Sequence, residues 1–330
     1  MKAHLTASLL VSAAVLSTPI AALASGTPVS GTMYYTTFSG GRNIHTVNYN
    51  FNGTTFTFSG NTDLGPGTPG ADGIVFTSDG QLAIGGQGGN VYKVNATTGA
   101  LMGSPTSGGT SAFHMMAAPD GKIWSSGIPG APAYYNSTLT VNGTPFPVHG
   151  GDSSLDTMAW TTADPNQAFY TTSGPGGFGD FGKVDLTTGV TTRLLSGVPA
   201  AHGMAYDPYS GKLILMGDGH ISEIDPSTGT IISDLVLGGT YDQGTVDGKG
   251  HIFAANNDGD LTFIDYSSTK LLATADFIST QFLHGSLDDV APLSGAGSAP
   301  DSLDFATIAL CLGGLCVAHQ WARRRGLATA

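Results

Sequence analysis

A strand that ends in Asn or Asp and runs into a Thr/Ser-Gly turn recurs along this chain, and its repeat length restricts the available folds more than any other feature. The clearest copies are Val91-Tyr92-Lys93-Val94-Asn95 to Gly99, Gly182-Lys183-Val184-Asp185 to Gly189, and Ile221-Ser222-Glu223-Ile224-Asp225 to Gly229. Looser copies sit at Val47-Asn48, Tyr135-Asn136 and Ile264-Asp265. The six markers at 48, 95, 136, 185, 225 and 265 are separated by 47, 41, 49, 40 and 40 positions. A period of roughly 40 to 50 residues marks propellers and arrays, because one such unit cannot bury its apolar face alone.

A second element, a short apolar run leading to an Asp-Gly-like turn, also occurs six times. It is seen at Ile74-Val75-Phe76, Met115-Met116-Ala117, Met158-Ala159-Trp160, Met204-Ala205-Tyr206, Thr245-Val246 and Val290-Ala291-Pro292. Its first copy follows the first marker and its last copy follows the last, so the two series are offset by most of a repeat. Ring closure requires that offset. A strand near Asp288–Leu293 is expected to join the strands of residues 32–58 and complete one blade, whereas an open solenoid would need atypical capping repeats.

Composition agrees. Gly is 49 of 330 residues, charged residues are only 11%, and Glu occurs once, at Glu223. Without Glu and with little Lys the chain lacks the charged face of surface helices, which excludes a helical bundle or coiled coil. The expected fold is all-β: a single six-bladed β-propeller over about residues 27–295, each blade a four-stranded antiparallel sheet. Here the chain resembles the broad superfamily of NHL-type, gluconolactonase-type and virginiamycin-lyase-like propellers, best over His202-Gly203-Met204-Ala205-Tyr206-Asp207-Pro208 through Asp225-Pro226-Ser227-Thr228-Gly229. The shared motifs are turn chemistry, so the resemblance implies architecture and little about activity.

Both ends read as addresses. Residues 1–24 combine Lys2, an apolar stretch from Leu9 to Leu16 and Ala22-Leu23-Ala24 before Ser25, the pattern of a signal peptide. The apolar stretch is too short to serve well as a membrane anchor. In the tail, residues 299–330, Pro300-Asp301-Ser302 precedes an apolar segment at 305–321 and then Arg323, Arg324 and Arg325. That length is at the lower limit for a transmembrane helix, and the arginines hold its end in the cytoplasm. The three-part order resembles the PEP-CTERM class of sorting signals in its Pro-Asp-Ser variant. The resemblance implies processing by an exosortase-type membrane protease and delivery of the body, residues 25–298, to the cell envelope, outer surface or extracellular matrix. A plain tail anchor that stays in the membrane is the other use of such a segment.

Cys311 and Cys316, the only cysteines, both lie in the tail segment. The body therefore has neither disulfides nor Cys-based metal sites, and its stability must come from packing. With Lys2, the three tail arginines, Asp301 and Asp304 set aside, 8 of the 12 basic and 22 of the 24 acidic residues remain, a net charge of −14. So acidic a body is not expected to bind nucleic acid or anionic lipid.

In a propeller, side chains at the start of the innermost strands surround one mouth of the axial channel. Aligning those strands on their apolar runs places Asp72, Phe113, Asp156, His202, Asp242 and Asp288 in one column, and Gly73, His114, Thr157, Gly203, Gln243 and Asp289 in the next. Carboxylates ringed this closely raise one another's pKa unless a cation or ligand compensates. Asp72, Asp156, His202, Asp242 and Asp288 are thus candidate ligands of a divalent cation, calcium or zinc. The alternative is a solvated pore lining whose spacing is set only by the repeat. A gluconolactonase-type site implies a Glu ligand on an inner strand, and Glu223 falls on an outer-strand copy. For a lyase-type reaction His114 or His202 is the candidate general base.

Other features are weaker. Asn256-Asn257-Asp258-Gly259-Asp260 mimics part of a calcium loop without its bidentate Glu and is expected to be a hairpin turn. Phe113, Trp124, Trp160, Phe169, Tyr206 and Phe253 fall on strand copies, where blade packing is expected rather than a sugar-stacking platform. Two functions remain: a noncatalytic, envelope-displayed module that binds an extracellular polysaccharide or envelope protein, and a metal-assisted hydrolase or lyase using the Asp/His ring.

Overall fold

The structure, a computed structural model, describes residues 26–293 apart from Pro129, Gly174 and Pro175. The signal segment, the Pro300-Asp301-Ser302 motif, the apolar tail segment and the Arg cluster all lie outside the described residues. Among the described residues no helix is long and apolar enough to cross a membrane, and the one helical element is a 3-10 turn at Leu272–Thr274.

Six sheets make six blades. Blade I is Val29–Thr37, Ile44–Phe51 and Phe56–Asp63, with Leu287–Val290 added as its innermost strand. The other innermost strands are Ala71–Phe76, His114–Ala117, Met158–Ala159, Gly203–Asp207 and Thr245–Val246, in blades II to VI. The closing strand pairs antiparallel with the first strand of the chain, Val290 opposite Tyr35 and Leu287 opposite Thr37. This is the closure that the offset of the two repeat series predicts.

Two details differ from the sequence expectation. Blade IV has five strands: His149–Gly150 runs parallel to the outer strand Val190–Val198. The spacing of 49 between markers 136 and 185 is the longest of the five, and its extra residues form this connection along the outer edge. The marker of blade I is Asn52 and not Asn48. The Asn95 Oδ1 accepts from the Thr97 and Thr98 amides, and Asp185 does the same with Thr187 and Thr188. In blade I the residue that accepts from Thr54 and Thr55 is Asn52, while Asn48 lies mid-strand and bonds Thr32. The marker is an Asx turn closing the third strand of a blade into its fourth.

The core is the set of interfaces between neighbouring blades. The largest, between blades V, VI and I, holds Tyr49, Phe51, Phe56, Phe253, Phe263 and Tyr266. Phe56 of blade I stacks on Phe263 of blade VI with ring centroids 4.2 Å apart and planes within 4°, so the seam where the ring closes is aromatic. Near the axis the innermost strands approach closely. A Cβ added to Gly203 would lie 2.4 Å from the Asp242 carbonyl oxygen, so only glycine fits between blades V and VI there.

Candidate functional site

Each candidate residue opens an innermost strand, and neighbouring blades hold several of them by the backbone. The Thr36 hydroxyl donates to the Asp72 carbonyl, Ser126 to that of Asp156, and Thr171 to that of His202 at 2.6 Å. A hydroxyl on the second strand of one blade thereby fixes the residue at the head of the next blade.

These contacts bring the aligned column together. Asp72, Phe113, Asp156, His202, Asp242 and Asp288 line a single axial cavity of about 330 Å³, joined by His114. The rim is made by Phe38, Gln87, Ile128 and Asn257. The charged residues are not a solvated lining: all five candidate ligands are at most 6% exposed, and His114 is 1% exposed. One column further along the axis is a second, apolar space with Met115, Met116, Met158, Met204, Trp160 and Tyr206 in its wall. Gln243 also lines that space; its side-chain amide pairs with both the N–H and the carbonyl of Met204. The channel is acidic at its mouth and apolar beyond it.

At the centre, His202 is held between two carboxylates. Its Nδ1 meets Asp156 Oδ2 and the Ser173 carbonyl, and its Nε2 lies 2.8 Å from Asp242 Oδ1. The ring of His114 stands edge-on to it, with centroids 4.7 Å apart. His114 Nδ1 lies 3.3 Å from Asp289 Oδ2. Its Nε2 is 3.7 Å from Asp156 Oδ2 and 3.9 Å from Asp242 Oδ1 and makes no hydrogen bond. Asp72 and Asp288 complete the lining of the same cavity.

The protonation states follow from this arrangement. Burial works against a charged His202, but Asp156 and Asp242 overcome it and push its pKa up to about 10. His114 is likewise raised, by Asp289 and Asp156 against burial. Burial would raise Asp156 and Asp242 too, but the imidazolium of His202 holds both below the ordinary carboxylate range. In the remaining carboxyls burial outweighs the pull of the imidazoles, even in Asp289 with His114 beside it. Burial lifts Asp72 to about 7 and Asp289 to about 6, and burial with the charges of Asp242 and Asp72 lifts Asp288 well above its usual value. The site thus holds protons that acidic groups in water would have lost.

Asp289 is the member that the candidate ligand list leaves out. Strand alternation would send consecutive residues to opposite faces, but Asp288 and Asp289 both reach the axial cluster. The pairing of their strand with Val29–Thr37 shifts register between Tyr35 and Thr37, and a β-bulge of this kind re-aims side chains. Its signal in the sequence is the adjacent pair of Asp residues at the head of the closing strand.

The other candidates sort as follows. Residues 256–260 form the hairpin turn between His251–Ala255 and Asp260–Asp265, with Asn256 Oδ1 accepting from the Asp258 amide at 2.9 Å. Trp124, Trp160, Phe169 and Phe253 are buried between blades, whereas Phe113 lines the acidic cavity and Tyr206 the apolar one. Glu223 is buried on His220–Asp225, away from the mouth, accepting from the Leu272 amide.

No protein-family model and no curated protein matches this chain. Among solved structures it is similar to TolB from Acinetobacter baumannii, with a TM-score of 0.53 and 15% identity over 82% of this chain and 68% of that one. It is also similar to virginiamycin B lyase from Staphylococcus aureus, with a TM-score of 0.50 and 9% identity over 78% of this chain and 89% of that one. At these identities the likeness is one of fold, and the fold is the six-bladed β-propeller.

Proposed function

We propose that the protein is an exported, envelope- or matrix-displayed propeller acting as a noncatalytic binding or scaffold module, with its axial mouth organised around a divalent cation, calcium or zinc. The observation that carries this reading is a set of buried polar atoms in the ring without hydrogen-bond partners: His114 Nε2, Asp288 Oδ2 and Asp289 Oδ1. Buried atoms of this kind are rare and costly, and a cation satisfies lone pairs that a neighbouring acceptor cannot. Two overlapping donor sets, His114/Asp156/His202 and His114/Asp242/Asp289, each lie within 4.8 Å. The carboxylate majority suits calcium, and engagement of both imidazoles suits zinc. Either ion would displace protons from the ring, so affinity should rise with pH. An extracellular polysaccharide or envelope protein would meet the cation at the rim of Phe38 and Phe113. The tail signal, through an exosortase-type protease, accounts for display.

One observation favours a second reading, a metal-assisted hydrolase or lyase. Asp72, pushed up to about 7, is poised for proton transfer at neutral pH beside an open cavity. His202 is protonated at that pH and is an acid rather than a base.

The test is the melting temperature of the full-length protein in excess calcium or zinc against chelator. Binding at about 100-fold saturation adds roughly 2.7 kcal/mol; in the double variant Asp156→Asn/Asp242→Asn the calcium-dependent gain should vanish and the zinc-dependent gain should fall. No metal-dependent shift in the unmodified protein ends the metal-centred account.

A further inference from the structure

A second group of ligand-type side chains lies away from the axis, where the ring closes. His45 opens Ile44–Phe51 and Asp63 ends Phe56–Asp63, directly opposite each other in the register. His284 sits in the turn between Phe277–Phe282 and the closing strand Leu287–Val290. One donor atom from each lies within 4.8 Å of the other two, and the two imidazole centroids are 4.4 Å apart.

The hydrogen bonds assign the nitrogens. Thr37 Oγ1 donates its proton to the Ser39 carbonyl at 3.2 Å, so its 3.3 Å contact with His45 Nε2 requires that nitrogen to carry the hydrogen. Burial, aided by the neighbouring His284, holds the His45 pKa below its ordinary value against the pull of Asp63, so the ring is neutral. Nδ1 then presents a lone pair to Asp63 Oδ1 at 3.1 Å, two acceptors face to face. On His284, Nδ1–H donates to the Gly285 carbonyl at 2.7 Å and leaves the lone pair on Nε2.

We propose that His45 Nδ1, Asp63 and His284 Nε2 form a second metal site, of zinc type, that clamps the closing turn to blade I. Two imidazoles and one carboxylate make a three-ligand zinc set. Asp63 is 44% exposed, which leaves the fourth position to water. The surroundings support the ligands as metal-bound histidines require. The His45 Nε2–H is held by Thr37, and its ring is stacked on Tyr35 at 4.8 Å. Tyr35 donates to Asn61 Oδ1 at 2.8 Å. Asn61 in turn donates to the Leu283 carbonyl at 3.3 Å, which ties the His284 turn to the strand carrying Asp63.

The experiment is zinc titration of the full-length protein, read by the number of ions bound per chain, with cobalt(II) absorption reporting the coordination. His284→Ala, in a half-buried turn, and Asp63→Asn should each remove one ion per chain and the four-coordinate cobalt band. Asp156→Asn/Asp242→Asn in the axial ring should leave that ion in place, so loss of the axial site does not decide this one. If the folded His284→Ala and Asp63→Asn proteins bind as many zinc ions as the unmodified chain, with unchanged Kd, the site does not exist.

Discussion

Asp72 and Asp288, on the first and last innermost strands of the ring, line one axial cavity with both carboxyls buried, and the charge of Asp72 adds to burial in raising the pKa of Asp288. Ionising both would confine two like charges in one buried site, which is why both are pushed upward. The strand that completes the fold therefore also completes the charged mouth. Closure brings Asp288 and Asp289 to groups on blades II and III, and the cost of confining them is carried by burial of Leu287 and Val290 in the blade seam.

Because burial and its acidic neighbours disfavour an ionised Asp288, Asp288→Asn supplies a neutral group of the same shape where a negative charge is costly. In chelator its melting temperature should equal or exceed that of the unmodified protein, because the variant cannot acquire a further buried negative charge. In excess calcium or zinc the metal-dependent gain should shrink or disappear. Thermal melts in both buffers check this, and a variant that keeps the full gain removes Asp288 from the ligand set.

The pH dependence in chelator has a defined sign. Asp72 and Asp289 keep protons in the folded state, up to about pH 7 and 6, that the unfolded chain loses near pH 4, so their contribution to stability falls as pH rises through that window; Asp288, raised as well, acts in the same direction. His202, raised to about 10, stabilises fully below its ordinary pKa and loses that contribution as pH climbs toward 10, which is the same direction. Asp156 and Asp242, held low, lose their contribution only below the ordinary carboxylate range. His45, held low by burial, opposes the trend near pH 6.5. Melting temperature should therefore fall from pH 5 to pH 8, and fall less steeply in Asp72→Asn/Asp288→Asn. A parallel pH profile for the double variant would show that the ring does not set the slope.

The ring was legible in the sequence because a propeller converts a linear repeat into a circle. One column of an alignment becomes one mouth, and Asp72, Phe113, Asp156, His202, Asp242 and Asp288 do share a cavity. What alignment could not show is the depth of the groups. Their near-complete burial depends on how closely glycines such as Gly203 let the inner strands approach, and it turns a solvated lining into one with shifted protonation. Asp289 was hidden by the bulge opposite Tyr35 and Thr37, since strict alternation sends it outward. The His45, Asp63 and His284 cluster was hidden for another reason. Its members occupy no common repeat position and meet only because the two ends of the ring meet.

The proposed display at the surface rests on the reading of the tail, and it is testable independently of the propeller. Changing Arg323, Arg324 and Arg325 to neutral residues removes the charges that, under this proposal, would hold the end of the segment in the cytoplasm. Fractionation should then show less processed protein at the surface and more mislocalised precursor. Unchanged delivery would reject the sorting role of the Arg cluster.

Closure itself is tested by deleting residues 288–293. The deletion strips the innermost partner from Val29–Thr37 and removes Val290 and Leu293 from the seam shared by blades V, VI and I. Loss of one large buried aliphatic side chain costs about 2 to 5 kcal/mol, and the unpaired inner edge invites aggregation as well. Removing Asp288 and Asp289 has the opposite tendency, because two confined carboxyls leave the mouth. The two effects are separated by a control in which both are changed to Asn in the intact chain. That control should melt at or above the unmodified temperature in chelator, while the deletion should melt well below it and expose apolar surface to dye. A deletion protein that melts with the control would mean that the first three strands of blade I hold without their closing partner, and the ring would not depend on its last strand.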